Sequence, residues 1–141
     1  MGRVLGVDLG SRRIGVALSD PSGVIAGPLV VLERCGDRAL DHQAILRLAR
    51  EHEADRIVVG MPTTLSGEQG PAATAALEEI EALQMLAGDA LEVEAFDERL
   101  TTAIAQRALL HGNVKRAQRK QTVDKIAAAV LLQSYLEQQR G

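Results

Sequence analysis

Asp8, Asp97, Glu98 and Asp124 are the residues of this chain whose type and setting could do chemistry. Asp8 lies in GVDLGSRRIGVALSD (6–20), where it interrupts an apolar, strand-like run that ends in a second acid, Asp20. Burying an ionised carboxylate is costly unless something compensates it. Asp97 and Glu98 follow directly on the alternating run LEVEAF (91–96). Asp124 precedes Ala127, Ala128 and Leu131 at spacings of three, four and seven, so it shares the apolar stripe of a helix. Carboxylates converging from separated segments suit hard divalent cations such as Mg²⁺ or Mn²⁺. Two such ions held about 4 Å apart activate a water and stabilise the leaving oxygen of a phosphodiester. That chemistry needs no histidine or hydroxyl as nucleophile. His42, His52 and His111 have no ligand-like spacing and read as surface or helix-end residues.

Each acid alone also has a structural use. Asp8 can cap the GSRR turn, Asp97 can pair with Arg99, and Asp124 can be a first-turn acid favoured by the helix dipole. The combination favours a site, because Asp8 and Asp124 stand where the pattern calls for apolar residues.

The elements that must position these acids follow from periodicity. Residues 3–9 and 13–19 read as a hairpin of strands around GSRR, and 24–33 as a third strand with a bend or edge at Gly27-Pro28. Helical spacing takes over at 39–53, followed by a short buried strand at 56–60 and a turn-rich loop at 61–70. Pro71 opens a helix over 72–87, and 91–96 is the last strand. A helix from Thr101 or Thr102 runs to about His111 and stops at Gly112. NVKRAQRKQT (113–122) is polar and basic, and the last helix spans about Val123 to Gln139. Three strands and then alternating helix and strand predict an α/β fold, a mixed sheet with helices on both faces. Sites in such sheets form at the carboxyl ends of parallel strands. Asp8 therefore meets Asp97 and Glu98 if strands 3–9 and 91–96 are neighbours, and the small alanines let the last helix bring Asp124 close.

The chain has 141 residues, 46% of them hydrophobic, the size of a single domain over 1–141 with a real core. There is no internal repeat, low-complexity segment or linker. No apolar run approaches the roughly 18 residues of a membrane span, and no secretory signal is visible. The lone Cys35 fits a reducing, cytoplasmic setting. The net charge of −3 hides an asymmetry: residues 1–100 hold nine Lys and Arg against seventeen acids, and residues 101–141 hold seven against two. A basic section on an acidic body points to a polyanionic partner. Lys115, Arg116, Arg119 and Lys120 put that charge directly before Asp124, suiting the backbone of duplex or structured RNA; a basic loop without a partner is the competing reading. With Phe96 and Tyr135 as the only aromatics, the grip would be on phosphates rather than on stacked bases. The glycines of the 60–70 loop, ahead of a helix N-terminus, suit either a phosphate or a plain surface turn.

GVDLGSRRIGVALSD (6–20), GMPTTLSGEQG (60–70), DERLTT (97–102) and VDKIAAAVLLQSYL (123–136) together resemble the YqgF, or RuvX, family. The four segments occur in the family's order over nearly the whole chain. The resemblance implies a ribonuclease H-like fold with a five-stranded mixed sheet and helices on both faces, similar to Holliday-junction resolvases of the RuvC type. It implies a nuclease that matures the 5′ end of 16S ribosomal RNA. Carried onto this chain, its catalytic and metal-binding acids fall on Asp8, Glu98 and Asp124, with Mg²⁺ or Mn²⁺ as cofactor, and Asp97 ranks fourth. Arg99 then contacts a substrate phosphate or pairs with Asp97. Structured nucleic acid is the expected partner, with no membrane, and the chain is expected as a monomer or weak homodimer. Two functions compete with precursor-RNA cleavage within the resemblance: resolution of four-way DNA junctions and non-catalytic RNA binding in ribosome assembly. A third comes from GVDLGSRRIGVAL, which also resembles the first phosphate loop of sugar kinases and actin-like ATPases. Those proteins repeat the domain, and 141 residues hold one copy.

Overall fold

The computed structural model of the chain describes residues 2–61, 70–97 and 116–140, with side chains over 125–139 in the last stretch. Among these the elements are β1 (Arg3–Leu9), β2 (Arg13–Ser19), β3 (Ala26–Glu33), α1 (Arg38–Glu51), β4 (Ala54–Met61), α2 (Pro71–Ala87), β5 (Glu92–Asp97) and α3 (Arg116–Arg140). The expected helix after Thr101 lies outside the described residues.

The strands form one mixed sheet in the order β3-β2-β1-β4-β5. β1 is antiparallel to β2 and parallel to β4, and β4 is parallel to β5. The expected five-stranded α/β architecture is therefore observed, but β1 and β5 are not neighbours, because β4 lies between them. The composition explains the order. Ile57, Val58 and Val59 are all fully buried, so β4 is apolar on both faces and belongs in the middle. β5 carries Glu92, Glu94 and Asp97, which suit an edge. Pro28 stands on the other edge strand, where the β2–β3 register slips.

Alternation sorts each strand between two cores. Leu5, Val7, Ile57, Val59, Met61 and Val93 pack under α1 and α2. Val4, Val58 and Phe96 pack with Ala128, Leu131, Leu132, Tyr135 and Leu136 of α3 on the opposite face.

Four residues give the direction of α3. Its Gln133 accepts from the Ala26 N–H at 2.8 Å and donates to the Val24 carbonyl at 3.1 Å. Its Tyr135 accepts from Arg56 at 2.5 Å and donates to Glu94 at 2.6 Å. These residues lie where β1, β4 and β5 begin. Ala128 and Leu132, nearer the helix start, lie instead over Gly6 in mid-strand. α3 therefore runs antiparallel to β1, with its N-terminal half toward the carboxyl ends of the parallel strands.

Two sequence expectations are corrected. α3 begins at Arg116, so Arg116, Arg119 and Lys120 belong to its first two turns rather than to a loop, and Asp124 stands in the third turn rather than the first. RAQRKQTVDK contains no Gly or Pro and is rich in helix formers, but without an apolar face it gives no periodic signal. A first-turn dipole role for Asp124 falls with that start. His42, expected at the surface or at a helix end, stands in the second turn of α1 and is 3% exposed. It shares the inner face of α1 with Ile45, Leu46 and Ala49 and meets Glu79 of α2 at 2.9 Å.

Candidate active site

Asp8 is the last but one residue of β1, half-buried and paired with Gly15 of β2. Its parity with Val4 and Gly6 puts it on the α3 face. Gly6 fixes how closely α3 approaches: a β-carbon there would lie 2.8 Å from the Leu132 Cβ and 3.3 Å from the Ala128 carbonyl oxygen. From that point Asp8 is two residues along the strand, a rise of about 6.6 Å. Asp124 is four residues back along the helix, about 6 Å. The elements run antiparallel, so both steps lead toward the carboxyl end of β1.

Asp97 is placed elsewhere. It pairs in register with Met61, and Met61 belongs to the core under α1 and α2. Its neighbour Phe96 pairs with Gly60 and packs on the α3 side. Asp97 and Asp8 thus stand on opposite faces, with β4 between their strands. Glu98, Arg99, Lys115 and the side chains of Arg116, Arg119, Lys120 and Asp124 lie outside the described residues. Among the described residues no group of three His, Cys, Asp or Glu side chains could hold a metal ion. Arg116, Arg119 and Lys120 follow at spacings of three and four, on one face of the start of α3.

Asp20, the other acid of the first segment, serves a turn. Its Oδ1 accepts from the backbone N–H of Ile25 at 2.9 Å and of Val24 at 2.7 Å, and the Ser22 hydroxyl donates to Oδ2. These bonds, that of Ile25 foremost, hold its carboxyl well below the usual carboxylate range.

A second polar cluster lies under the β1–β2 turn on the α1/α2 face, and sequence reasoning missed it. Arg34 forms a bidentate pair with Glu79 at 2.9 Å for each bond, and Glu79 also meets His42. Arg34 lies 3.6 Å from Asp41. Burial acts to raise the Glu79 carboxyl, but the hydrogen bonds from Arg34 and His42 outweigh it, and its pKa is lowered. The missed signal was of the kind used for Asp124. Glu79 falls three residues after Ala76 and four before Leu83, an acid on the buried stripe of α2.

The sheet order, the helices on both faces and the acid at the carboxyl end of β1 define a ribonuclease H-like α/β fold. The RuvC resolvase of Thermus thermophilus, solved in complex with a Holliday junction substrate, superposes with a TM-score of 0.59 at 15% identity, covering 100% of this chain and 97% of that one. The yeast mitochondrial Holliday junction resolvase Ydc2 gives 0.60 at 14% identity, covering 99% and 79%. The model of the RuvX family, described as a Holliday junction resolvase, matches residues 2–138. A relative from Roseiflexus sp. (strain RS-1), named "Putative pre-16S rRNA nuclease", is 40% identical over 99% of this chain and 96% of its own length. One of the same name from Nocardia farcinica is 42% identical over 97% and 78%. The chain belongs to the RuvX family.

Among the described residues no helix is long and apolar enough to cross a membrane.

Proposed function

We propose that the chain is a divalent-metal-dependent endonuclease that hydrolyses phosphodiester bonds in maturing the 5′ end of pre-16S ribosomal RNA. It works in the cytoplasm as a single ribonuclease H-like domain over 1–141, a monomer or weak homodimer. The observation that supports the reading is the close seating of α3 on Gly6, with its N-terminal half toward the carboxyl end of β1, where Asp8 stands. The third acid is Glu98. Asp97 shares a register with Met61 of the other core, which supports its neighbour Glu98 as the third acid, as the family resemblance implies.

Asp8, Glu98 and Asp124 offer only carboxylate oxygens, a donor set that fits Mg²⁺ or Mn²⁺ and not softer metals. When bound, such ions activate water and neutralise charge developing on a scissile phosphate. Arg116, Arg119 and Lys120, with Lys115 and Arg99, attract and orient the phosphate backbone. Phe96 and Tyr135 pack edge to face at 5.8 Å. Both aromatics are thus occupied within the fold, which supports recognition of shape and phosphates over stacked bases.

Junction resolution is the second reading, favoured by the family's description and the RuvC-like fold. It requires two sites about a symmetry axis, whereas trimming an RNA end requires one. The two readings separate when precursor rRNA and a four-way DNA junction are offered in parallel, with and without Mn²⁺. A monomer that cuts the precursor only with metal supports the proposal. Paired symmetric cuts in the junction by a dimer support the second reading. Binding of the RNA without cleavage points to an assembly factor.

A further inference from the structure

We infer that Arg34 is a positioning residue for Asp8, acting through the turn that follows β1; its link to catalysis rests on the nuclease reading above. The Arg34 Nε donates to the Gly10 carbonyl at 2.7 Å, and its backbone N–H donates to the Arg12 carbonyl at 2.9 Å. The far end of the same guanidinium is clamped on Glu79 of α2, and Glu79 is held in turn by His42 of α1. Arg34 thus ties the β1–β2 turn to both helices of that face. The side chains of Arg34, Asp41, Glu79 and His42 are only 14%, 6%, 5% and 4% exposed.

A buried ionic cluster of this kind contributes no more stability than apolar residues of the same volume often would. What it adds here is geometry. The β1–β4 ladder is paired as far as Val7 and Val59, and Asp8, the next residue, pairs with Gly15 of β2. The turn that Arg34 holds begins two residues after Asp8 and joins the strand pair on which Asp8 and Gly15 stand. That turn is tight: the Gly10 N–H donates to the Arg13 carbonyl at 2.9 Å, and a β-carbon on Gly10 would lie 2.4 Å from that oxygen. Lysine cannot replace Arg34, because one ammonium cannot reach the Gly10 carbonyl and grip both Glu79 oxygens.

The test is Arg34→Lys in the full chain, with Glu79→Gln as the second variant should the first not fold. Three readings are taken: amide exchange at Gly10, the ¹³C shift of the Asp8 carboxyl, and Mn²⁺ affinity by calorimetry. The inference predicts Gly10 exchange at least about ten times faster with the Val58 amide unchanged, a moved Asp8 carboxyl resonance, and Mn²⁺ binding weakened about tenfold, the usual effect of removing a group that orients a ligand. KM for nucleic acid stays near the wild-type value. Unchanged Gly10 exchange, or a loosened turn with Mn²⁺ affinity intact, overturns it, even if the melting temperature falls. If the wild-type chain neither takes up Mn²⁺ nor cuts, the nuclease reading fails on its own. Arg34 is then judged by Gly10 exchange and the Asp8 resonance: both moving upholds its hold on Asp8, and either unmoved removes it.

Discussion

Gly6 and Leu132 meet so closely that a β-carbon on the glycine would stand 2.8 Å from that of the leucine. This close approach sets the depth at which α3 lies on the sheet. Gly6→Ala forces helix and strand apart against the Ala128 carbonyl, which cannot swing away as a side-chain tip would. Overpacking of this kind costs about 1–3 kcal/mol, to be read by denaturant unfolding. Gly27→Ala is the control, since a β-carbon there meets nothing within 4 Å, and its stability should match wild type within about 0.5 kcal/mol.

The faces of β5 predict different outcomes for adjacent acids. Asp97→Asn, on the Met61 side, should keep at least about a tenth of wild-type cleavage, whereas Glu98→Gln should lose it by about a hundredfold or more, as expected for loss of a metal ligand. The reverse result would move the site to the α1/α2 face.

Asp8 and Asp20 bound one sequence segment but should fail differently. Asp20→Ala frees the Val24 and Ile25 amides, so their hydrogen exchange accelerates while metal-dependent cleavage continues. Asp8→Asn should leave that turn protected and stop cleavage.

Glu79 makes stability sensitive to acid. Its folded pKa is lowered from the ordinary 4.5, so its contribution is fully present above about that pH and is lost as pH falls through the lower folded value. Glu79→Gln should be less stable at pH 7 by on the order of 1.5–3 kcal/mol, the usual worth of hydrogen bonds to charged groups. Its stability should also fall less steeply than wild type as the pH drops below the ordinary 4.5. Thermal unfolding across that range checks both.

Arg116, Arg119 and Lys120 share one helical face, so replacing all three with Ala should weaken nucleic-acid binding alike for unrelated sequences. The slope of log affinity against log salt should fall by up to about 0.9 for each phosphate that is no longer neutralised on duplex DNA, and by less on single strands. An unchanged slope removes this face from the interface.

How much of this could be read from the chain varies with the physics behind each feature. β1 and β2 were legible to the residue, because alternation and the GSRR turn are local signals. Asp8 stood out for the same reason, as an acid inside a strand pattern. The place of β4 between β1 and β5 is a long-range pairing that no local spacing encodes, although its doubly apolar IVV run hinted at a central strand. The choice between Asp97 and Glu98 was closed to periodicity, since both follow the alternating run; the pairing of Asp97 with Met61 supplies the face. The first turns of α3 were hidden by their polarity. His42 was misread and Glu79 overlooked because their partners are distant in sequence, each being the other's and Arg34 being a further one of Glu79.

The most direct test of the proposed site is the paramagnetic broadening that Mn²⁺ produces in the amide spectrum of the wild-type chain. Broadening centred on Asp8, Leu9 and Gly10 of the β1 end and on Ala127 and Ala128 of α3 is the predicted result. The amides of Val4, Arg56 and Tyr135, at the far end of the strands, should stay sharp. Broadening centred on Glu92 and Glu94, or on the α1/α2 face around Glu79, would contradict the account, as would a spectrum that Mn²⁺ leaves unchanged.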